Sequence, residues 1–407
     1  MTSHFVTGLR CVICNRTYLP EAVYTCPACG EEGILDVLYD YEHVATHLTP
    51  ATLRERAFDL WRYRELLPIA AEVPRPHLQT GWTPVYNAPR LAVTAGIREL
   101  YVKDEGRNPT GSFKDRASAI AVMKACEFGY NAIACASTGN AASSLAGMAA
   151  ALRLQSYIFV PSRAPEAKVA QLLIYGADVV KVEGSYDEAY DLCTSACEKN
   201  GWYNRNCARN AYLIEGKKTA GLEIAEQMAQ QLPDWVVFAV GDGCTIAGVW
   251  KGLCEMRELG FIERLPRLLG VQAEGASALV QAYERQDAPI AGIAETLADS
   301  ICVGKPRNWR KALAAIRASN GAMLAVSDGE ILIALREMAR EAAVFGEPAG
   351  AAALAGLKKA VQLGLIEADK CALIANTGNG LKDVQSALRA ASSAGERAQY
   401  DCSKPAS

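Results

Sequence analysis

Two rhythms of apolar residues alternate along most of this chain. Runs at 132–137, 156–160, 179–182, 235–240, 268–273 and 371–376 are four to six residues long and mostly apolar, with at most one polar residue each. Such runs suit strands buried on both faces. The segments 115–128, 141–152, 166–175, 186–199, 219–230, 245–259, 329–345 and 350–363 place apolar residues at helical spacing. A further short strand is expected at 202–205. Strand and helix in regular alternation predict βαβ units, hence an α/β fold with parallel sheets and helices on both faces. Near the start, Trp61, Tyr63, Leu66 and Leu67 predict a helix ended by Pro68, Pro74 and Pro76. It would link residues 1–45 to a body opening at Gly81-Trp82-Thr83-Pro84.

The 407 residues allow two or three domains. A net charge of −3, with 21% charged residues, gives no electrostatic reason to expect nucleic acid or an anionic membrane as partner. Residues 1–10 lack the basic-then-apolar pattern of a signal peptide. The uncharged stretch 132–152 is long enough to raise a membrane question. Ser137-Thr138-Gly139-Asn140 and Ser143-Ser144 interrupt it, so a strand, a turn and a buried helix are expected instead. The reading is a soluble, cytoplasmic protein.

Of 14 cysteines, four form Cys11-x-x-Cys14 and Cys26-x-x-Cys29. This spacing fits a zinc-ribbon-like module in which four thiolates close a tetrahedral site. The alternative is four free thiols. With no open coordination position, such a zinc would be structural. The other cysteines are scattered and read as reduced, buried side chains.

The histidines are His4, His43, His47 and His77, and none follows. The large body therefore has no histidine base, and proton transfer there falls to carboxylates or a lysine of lowered pKa. Lys114, in Asn108-Pro109-Thr110-Gly111-Ser112-Phe113-Lys114-Asp115-Arg116, is the candidate. Turn formers precede it and an Ala-rich helix follows, so its amine can sit at a cleft mouth. Partial desolvation there favours Schiff-base chemistry and proton shuttling. The plainer reading is a solvated lysine in a first helical turn.

Three polar turns follow apolar strands. Gly241-Asp242-Gly243-Cys244-Thr245 opens a helix, where backbone N–H groups and the helix start suit a phosphate. Ile246 breaks the dinucleotide fingerprint, and no Gly-x-x-x-x-Gly-Lys-Ser/Thr loop occurs. Ser137-Thr138-Gly139-Asn140 offers donors to an anionic group, or serves as a helix N-cap. Thr377-Gly378-Asn379-Gly380 is the third, and read alone it is a turn.

Together with Gly81-Trp82-Thr83-Pro84, the run 108–116 and Glu215-Gly216-Lys217-Lys218-Thr219, these turns resemble the fold-type II pyridoxal-phosphate enzymes (tryptophan synthase beta-like family). Within them the threonine synthases are most similar. The motifs appear in the family's order from about residue 81 onward. The resemblance implies two doubly wound lobes: a large cofactor-binding domain of 81–115 and 207–407, and a small α/β domain of 116–206. It implies pyridoxal 5′-phosphate on Lys114, which also acts as acid and base, with Phe113 near the ring. Gly241, Gly243, Cys244 and Thr245 would cradle the cofactor phosphate. Asn140 would bond the ring hydroxyl, and Thr377 would meet the pyridine nitrogen. A neutral threonine there makes a weaker electron sink than a carboxylate, favouring elimination and replacement. Ser137 and Thr138 would take the substrate carboxylate, with Arg116, Lys168, Arg163 and Arg209 as candidates for a leaving phosphate. A homodimer and a small amino-acid substrate are family expectations.

The implied reaction turns O-phosphohomoserine and water into threonine and phosphate by γ-elimination and β-addition. The alternatives are a cysteate synthase, a serine/threonine deaminase or a diaminopropionate ammonia-lyase. From another class, the alternative is an inactive zinc-ribbon interaction protein. The chain departs from the family's pattern at Asp242, at Asn206-Cys207-Ala208-Arg209-Asn210-Ala211-Tyr212, at Glu274 and at Asp299. An acid added to the distal pocket points toward an amine-bearing or unphosphorylated substrate.

Overall fold

The computed structural model describes residues 3–21, 24–162, 164, 166–184 and 186–392. Its larger sheet has six strands in the order Ala322–Val326, Arg267–Ala273, Trp235–Ala239, Cys371–Asn376, Glu99–Asp104 and Val85–Asn87. All pair in parallel except the edge strand Val85–Asn87. A second, wholly parallel sheet runs Asp178–Val182, Gln155–Pro161, Ala132–Ala136 and Tyr203–Asn204. Every residue of Ala132–Ala136, Trp235–Ala239 and Cys371–Asn376 is buried, which is why these strands read as unbroken apolar runs.

Helices cover both sheets. Tyr212–Gln227 and Cys244–Glu258 lie unusually close. A β-carbon at Gly221 would collide with the Val249 carbonyl, and one at Gly252 with the Lys218 carbonyl. Small residues at those positions let the backbones touch. Lys114–Glu127 packs on Tyr212–Gln227 in turn. No described helix is long and apolar enough to cross a membrane.

Near the start of the chain, Val6–Cys11, Thr17–Tyr18 and Leu35–Tyr39 form a three-stranded antiparallel sheet. It is fastened to the body by charge. Lys251 and Lys311 reach Asp36 at 3.2 and 3.0 Å. They also donate to the carbonyls of Val37 and Leu35. The Tyr39 hydroxyl donates to Glu215 at 2.8 Å.

Three expectations are corrected. Segment 46–80 is not one linking helix. It contains the end of Tyr41–His47, then Pro50–Arg54 and a 3-10 turn at Leu60–Leu66. Leu60, Trp61, Tyr63 and Leu66 are buried in that turn, and Arg62 pairs with Glu226 at 2.6 Å. The helix expected at 219 begins at Tyr212, so Glu215 to Thr219 lie inside it. Strands Val85–Asn87, Glu99–Asp104 and Ala322–Val326 were not expected. Glu99–Asp104 disguises itself by carrying Lys103 into the core, where Glu223 meets it at 2.9 Å with both side chains fully buried.

Candidate active site

Trp235–Ala239, Cys371–Asn376 and Glu99–Asp104 are neighbours in one parallel sheet. Their carboxyl ends therefore deliver the turns 241–245 and 377–380 and the run 105–114 to one rim, where α/β sheets bind ligands. Backbone bonds join these pieces. The Phe113 N–H donates to the Thr377 carbonyl at 2.9 Å, and Ser112 bridges Gly378. Asn376 reaches Asp104 at 2.8 Å.

Lys114 is the first residue of its helix and is half-buried. No hydrogen bond or ion pair among the described residues engages its amine. Burial first, then the nearby Lys217 and Arg205 charges, hold its pKa below the usual lysine value. Phe113 precedes it. It is 1% exposed, and its ring meets Phe238 edge-on at 6.1 Å in the core. It anchors the start of the Lys114 helix in the core.

The glycine turn is shaped by its own neighbours. Gly243 has φ +89°, and a β-carbon there would press on Ala312 at 2.7 Å. At Gly241 one would meet Ile301 Cα at 3.1 Å. Asp242 accepts from the Arg307 N–H at 2.5 Å, and its other oxygen lies 4.0 Å from the Cys244 sulfur. Cys244 begins the helix and Thr245 is half-buried.

A cavity of about 460 Å³ opens beside this rim, lined in part by Thr138, Asn140, Lys168, Asp299, Glu347 and Lys382. Asn140 Nδ2 donates to Glu347 at 2.8 Å and to Ser300 at 3.0 Å. The Glu347 N–H donates to the Gly378 carbonyl at 2.9 Å, tying the cavity to the 377–380 turn. Ser137 Oγ accepts from the Gly139 N–H at 3.2 Å, the local turn role. Lys114, Thr377 and the 241–245 turn lie outside the cavity lining.

The cation candidates separate. Arg116 is corrected: it is fully buried, with Nε and Nη2 on Glu105 at 2.7 and 2.8 Å and Nη1 and Nη2 on Glu223 at 2.6 and 2.7 Å. A guanidinium so committed cannot meet substrate. Lys168 does line the cavity, but Asp299 holds it at 2.5 Å. Arg209 is outside the lining and faces Glu198 at 3.4 Å. Arg163 lies outside the described residues. Glu274 pairs with Lys359 at 3.5 Å, outside the lining.

Two cavity residues had no role assigned to them from the sequence, although Lys382 closes the motif that begins at Thr377. Glu347 is 5% exposed, and burial raises its pKa. A β-carbon at Gly378 would strike its carboxyl at 2.6 Å, so that glycine makes room for it. Its signal was Glu-Pro at a helix start, with Pro348 in the first turn. Lys382 donates to Ser143 Oγ at 3.1 Å, and burial lowers its pKa.

In the ribbon, the sulfurs of Cys11, Cys14, Cys26 and Cys29 all lie within 4.8 Å of one another, close enough to share one metal ion.

A lysine at a sheet's carboxyl rim, beside a glycine turn opening a helix, defines a class. Residues 77–378 match the family model described as pyridoxal-phosphate dependent enzyme, and the chain belongs to that family. Within it the chain belongs with the threonine synthases. It is 40% identical over 385 residues to "Threonine synthase" of Methanocaldococcus jannaschii, covering 94% of each chain. It is also 40% identical over 384 residues to the one of Methanosarcina acetivorans, covering 93% of each. Among solved structures, threonine deaminase isoform 2 from Solanum lycopersicum superposes with a TM-score of 0.66 at 23% identity, over 77% of this chain and 88% of that one. Diaminopropionate ammonia lyase from Escherichia coli gives 0.64 at 19% identity, over 79% and 88%. These two establish the fold alone.

Proposed function

We infer that this chain catalyses the threonine synthase reaction, O-phosphohomoserine and water to threonine and phosphate, with pyridoxal 5′-phosphate as cofactor. The observation that carries the reading is the placement of Lys114, its amine uncommitted and its pKa lowered, with Thr377 and the Gly243–Cys244 helix start on one rim. The residues fit the cofactor. Gly241, Gly243, Cys244 and Thr245 offer backbone donors to its phosphate, Thr377 a neutral hydroxyl to its ring nitrogen, and Asn140 an amide to its ring hydroxyl. Bound there, the cofactor would supply the electron sink that makes α- and β-protons acidic. Lys114 would hold it and move those protons. Among the described residues at this rim, no other amine is both without a hydrogen bond and depressed in pKa, and the body has no histidine.

Ser137 and Thr138 are assigned to the substrate carboxylate. Asp299 neutralises Lys168 in the free protein, so Lys168 must exchange partners to meet a leaving phosphate, while Lys382 supplies the cavity's second cation. The same reading makes 116–206 a smaller lobe closing on 81–115 and 207–407. It makes Cys11, Cys14, Cys26 and Cys29 a structural zinc site, and the protein a cytoplasmic homodimer.

The test is phosphate release from O-phosphohomoserine compared with O-phosphoserine, alongside the visible band of lysine-bound cofactor. Phosphate release from O-phosphohomoserine together with formation of threonine supports the reading. Release from O-phosphoserine alone moves the chain to a neighbouring replacement enzyme. A Lys114→Ala protein that keeps a borohydride-sensitive band refutes the lysine's role, and wild type with no band leaves the zinc-ribbon interaction protein.

A further inference from the structure

Buried cations in this chain are matched to carboxylates almost everywhere. Lys103 and Arg116 face Glu105 and Glu223. Lys218 and Lys251 face Glu215 and Glu255 or Asp36. Lys124 faces Glu127 at 2.7 Å.

Lys217 and Arg205 break that rule. Lys217 is fully buried, and no carboxylate lies within salt-bridge reach of it among the described residues. Its one hydrogen bond goes to the Cys207 sulfur at 3.1 Å. Arg205 is 1% exposed, donates to Ser118 Oγ at 3.2 Å, and leaves its buried Nε without a partner. Both charges act on Lys114. Burying a cation with no matching charge is unfavourable, so a site that gathers two of them expects an anion.

The position says which anion. Lys217 sits where helix Tyr212–Gln227 touches helix Cys244–Glu258, and a β-carbon at Gly248 would lie 3.0 Å from Lys217 Cβ. Gly248 is one turn beyond Cys244, where the helix opens. Cys207, which holds the lysine, has its sulfur within 4.8 Å of both the Cys244 sulfur and the Asp242 carboxylate. Beside the same turn, Asn308 is fully buried with both side-chain amide atoms unpartnered. Asp242 forms no salt bridge with the lysine among the described residues. It accepts from the Arg307 N–H, and burial raises its pKa against the pull of the Arg307 and Lys217 charges. The Cys244 hydrogen bond and the Lys217 charge pull the Cys207 thiol well below its usual pKa against burial.

We propose that Lys217 is the counter-ion of the cofactor's phosphate, held by Cys207 until that phosphate arrives at the Gly241–Thr245 turn. This rests on the cofactor reading above and adds to it a side-chain charge where the motif offered only backbone donors. Arg205 contributes to the same field from the side of Ser118.

The test separates the phosphate from the rest of the cofactor. The protein is stripped and retitrated with pyridoxal phosphate and with pyridoxal, following the visible band. Wild type should bind the phosphorylated form more tightly. Lys217→Gln should weaken pyridoxal phosphate by about tenfold or more while changing pyridoxal by less than about twofold. Lys217→Arg should retain most of the preference. Lys217→Met, which keeps the aliphatic stem and removes the buried charge, should behave as Lys217→Gln and serves if the glutamine variant fails to fold by circular dichroism. Equal loss for both compounds, or no loss, overturns the assignment. Wild type that binds neither compound refutes the cofactor reading itself, a separately visible outcome.

Discussion

Replacing Arg116 by methionine should destabilise the protein without touching substrate binding. The guanidinium makes four carboxylate contacts of 2.6–2.8 Å, two to Glu105 and two to Glu223. With Lys103 it balances those two carboxylates in a fully buried cluster. Methionine fills much of the volume but leaves one cation against two anions. Breaking such a pair costs about 3–5 kcal/mol.

The loss should depend on pH with a definite sign. Against burial, Arg116 and Lys103 hold Glu223 down to about 2. A depressed carboxyl adds stability that is full above its unfolded pKa and is lost as pH falls from there through about 2, so the wild-type contribution is flat through neutrality. In the variant a buried carboxylate with half its partners gone has a raised pKa and is relieved by protonation. The deficit should therefore be full at about pH 8 and shrink toward about pH 5.5. Urea midpoints by tryptophan fluorescence at both pH values measure it. An unchanged midpoint at the higher pH, or a deficit that grows on acidification, refutes the argument. A higher KM for O-phosphohomoserine with an unchanged midpoint would return Arg116 to the cleft.

Asp299→Asn should free Lys168 and lower KM for a phosphorylated substrate. The pair is partly exposed, at 31% and 54%, so the gain is small, about fivefold at most. Steady-state kinetics should show Lys168→Ala moving KM the other way. Burial raises the Glu347 pKa, so the folded state takes up a proton as pH falls through that value and gains stability. Glu347→Gln should abolish that part of the pH dependence, read as the difference in melting temperature between variant and wild type across an acid titration. Cys11→Ser with Cys26→Ser should reduce bound zinc from one per chain to none by elemental analysis, and lower thermal stability.

The sequence exposed what backbone periodicity and local motifs control. Continuous apolar runs marked the strands Trp235–Ala239 and Cys371–Asn376, and with them the rim where the glycine turn and Thr377 sit. What it hid was long-range pairing of charge. Lys103 disguised a central strand, and Arg116 looked like an anion site because its partner Glu223 lies 107 residues away. Lys168 looked free because Asp299 is 131 residues away. Glu347 was invisible as a cavity wall because only the fold sets it against Asn140 and Gly378.

The charged fastening of the ribbon bears on how this chain can change over evolutionary time. Lys251 and Lys311 spend their charges on Asp36 and on the carbonyls of Val37 and Leu35. Glu215, which accepts from Tyr39, shares Lys251 and Lys218. Losing the ribbon would strip Lys251 and Lys311 of Asp36 and of the two carbonyls, so the module and its seat should change together.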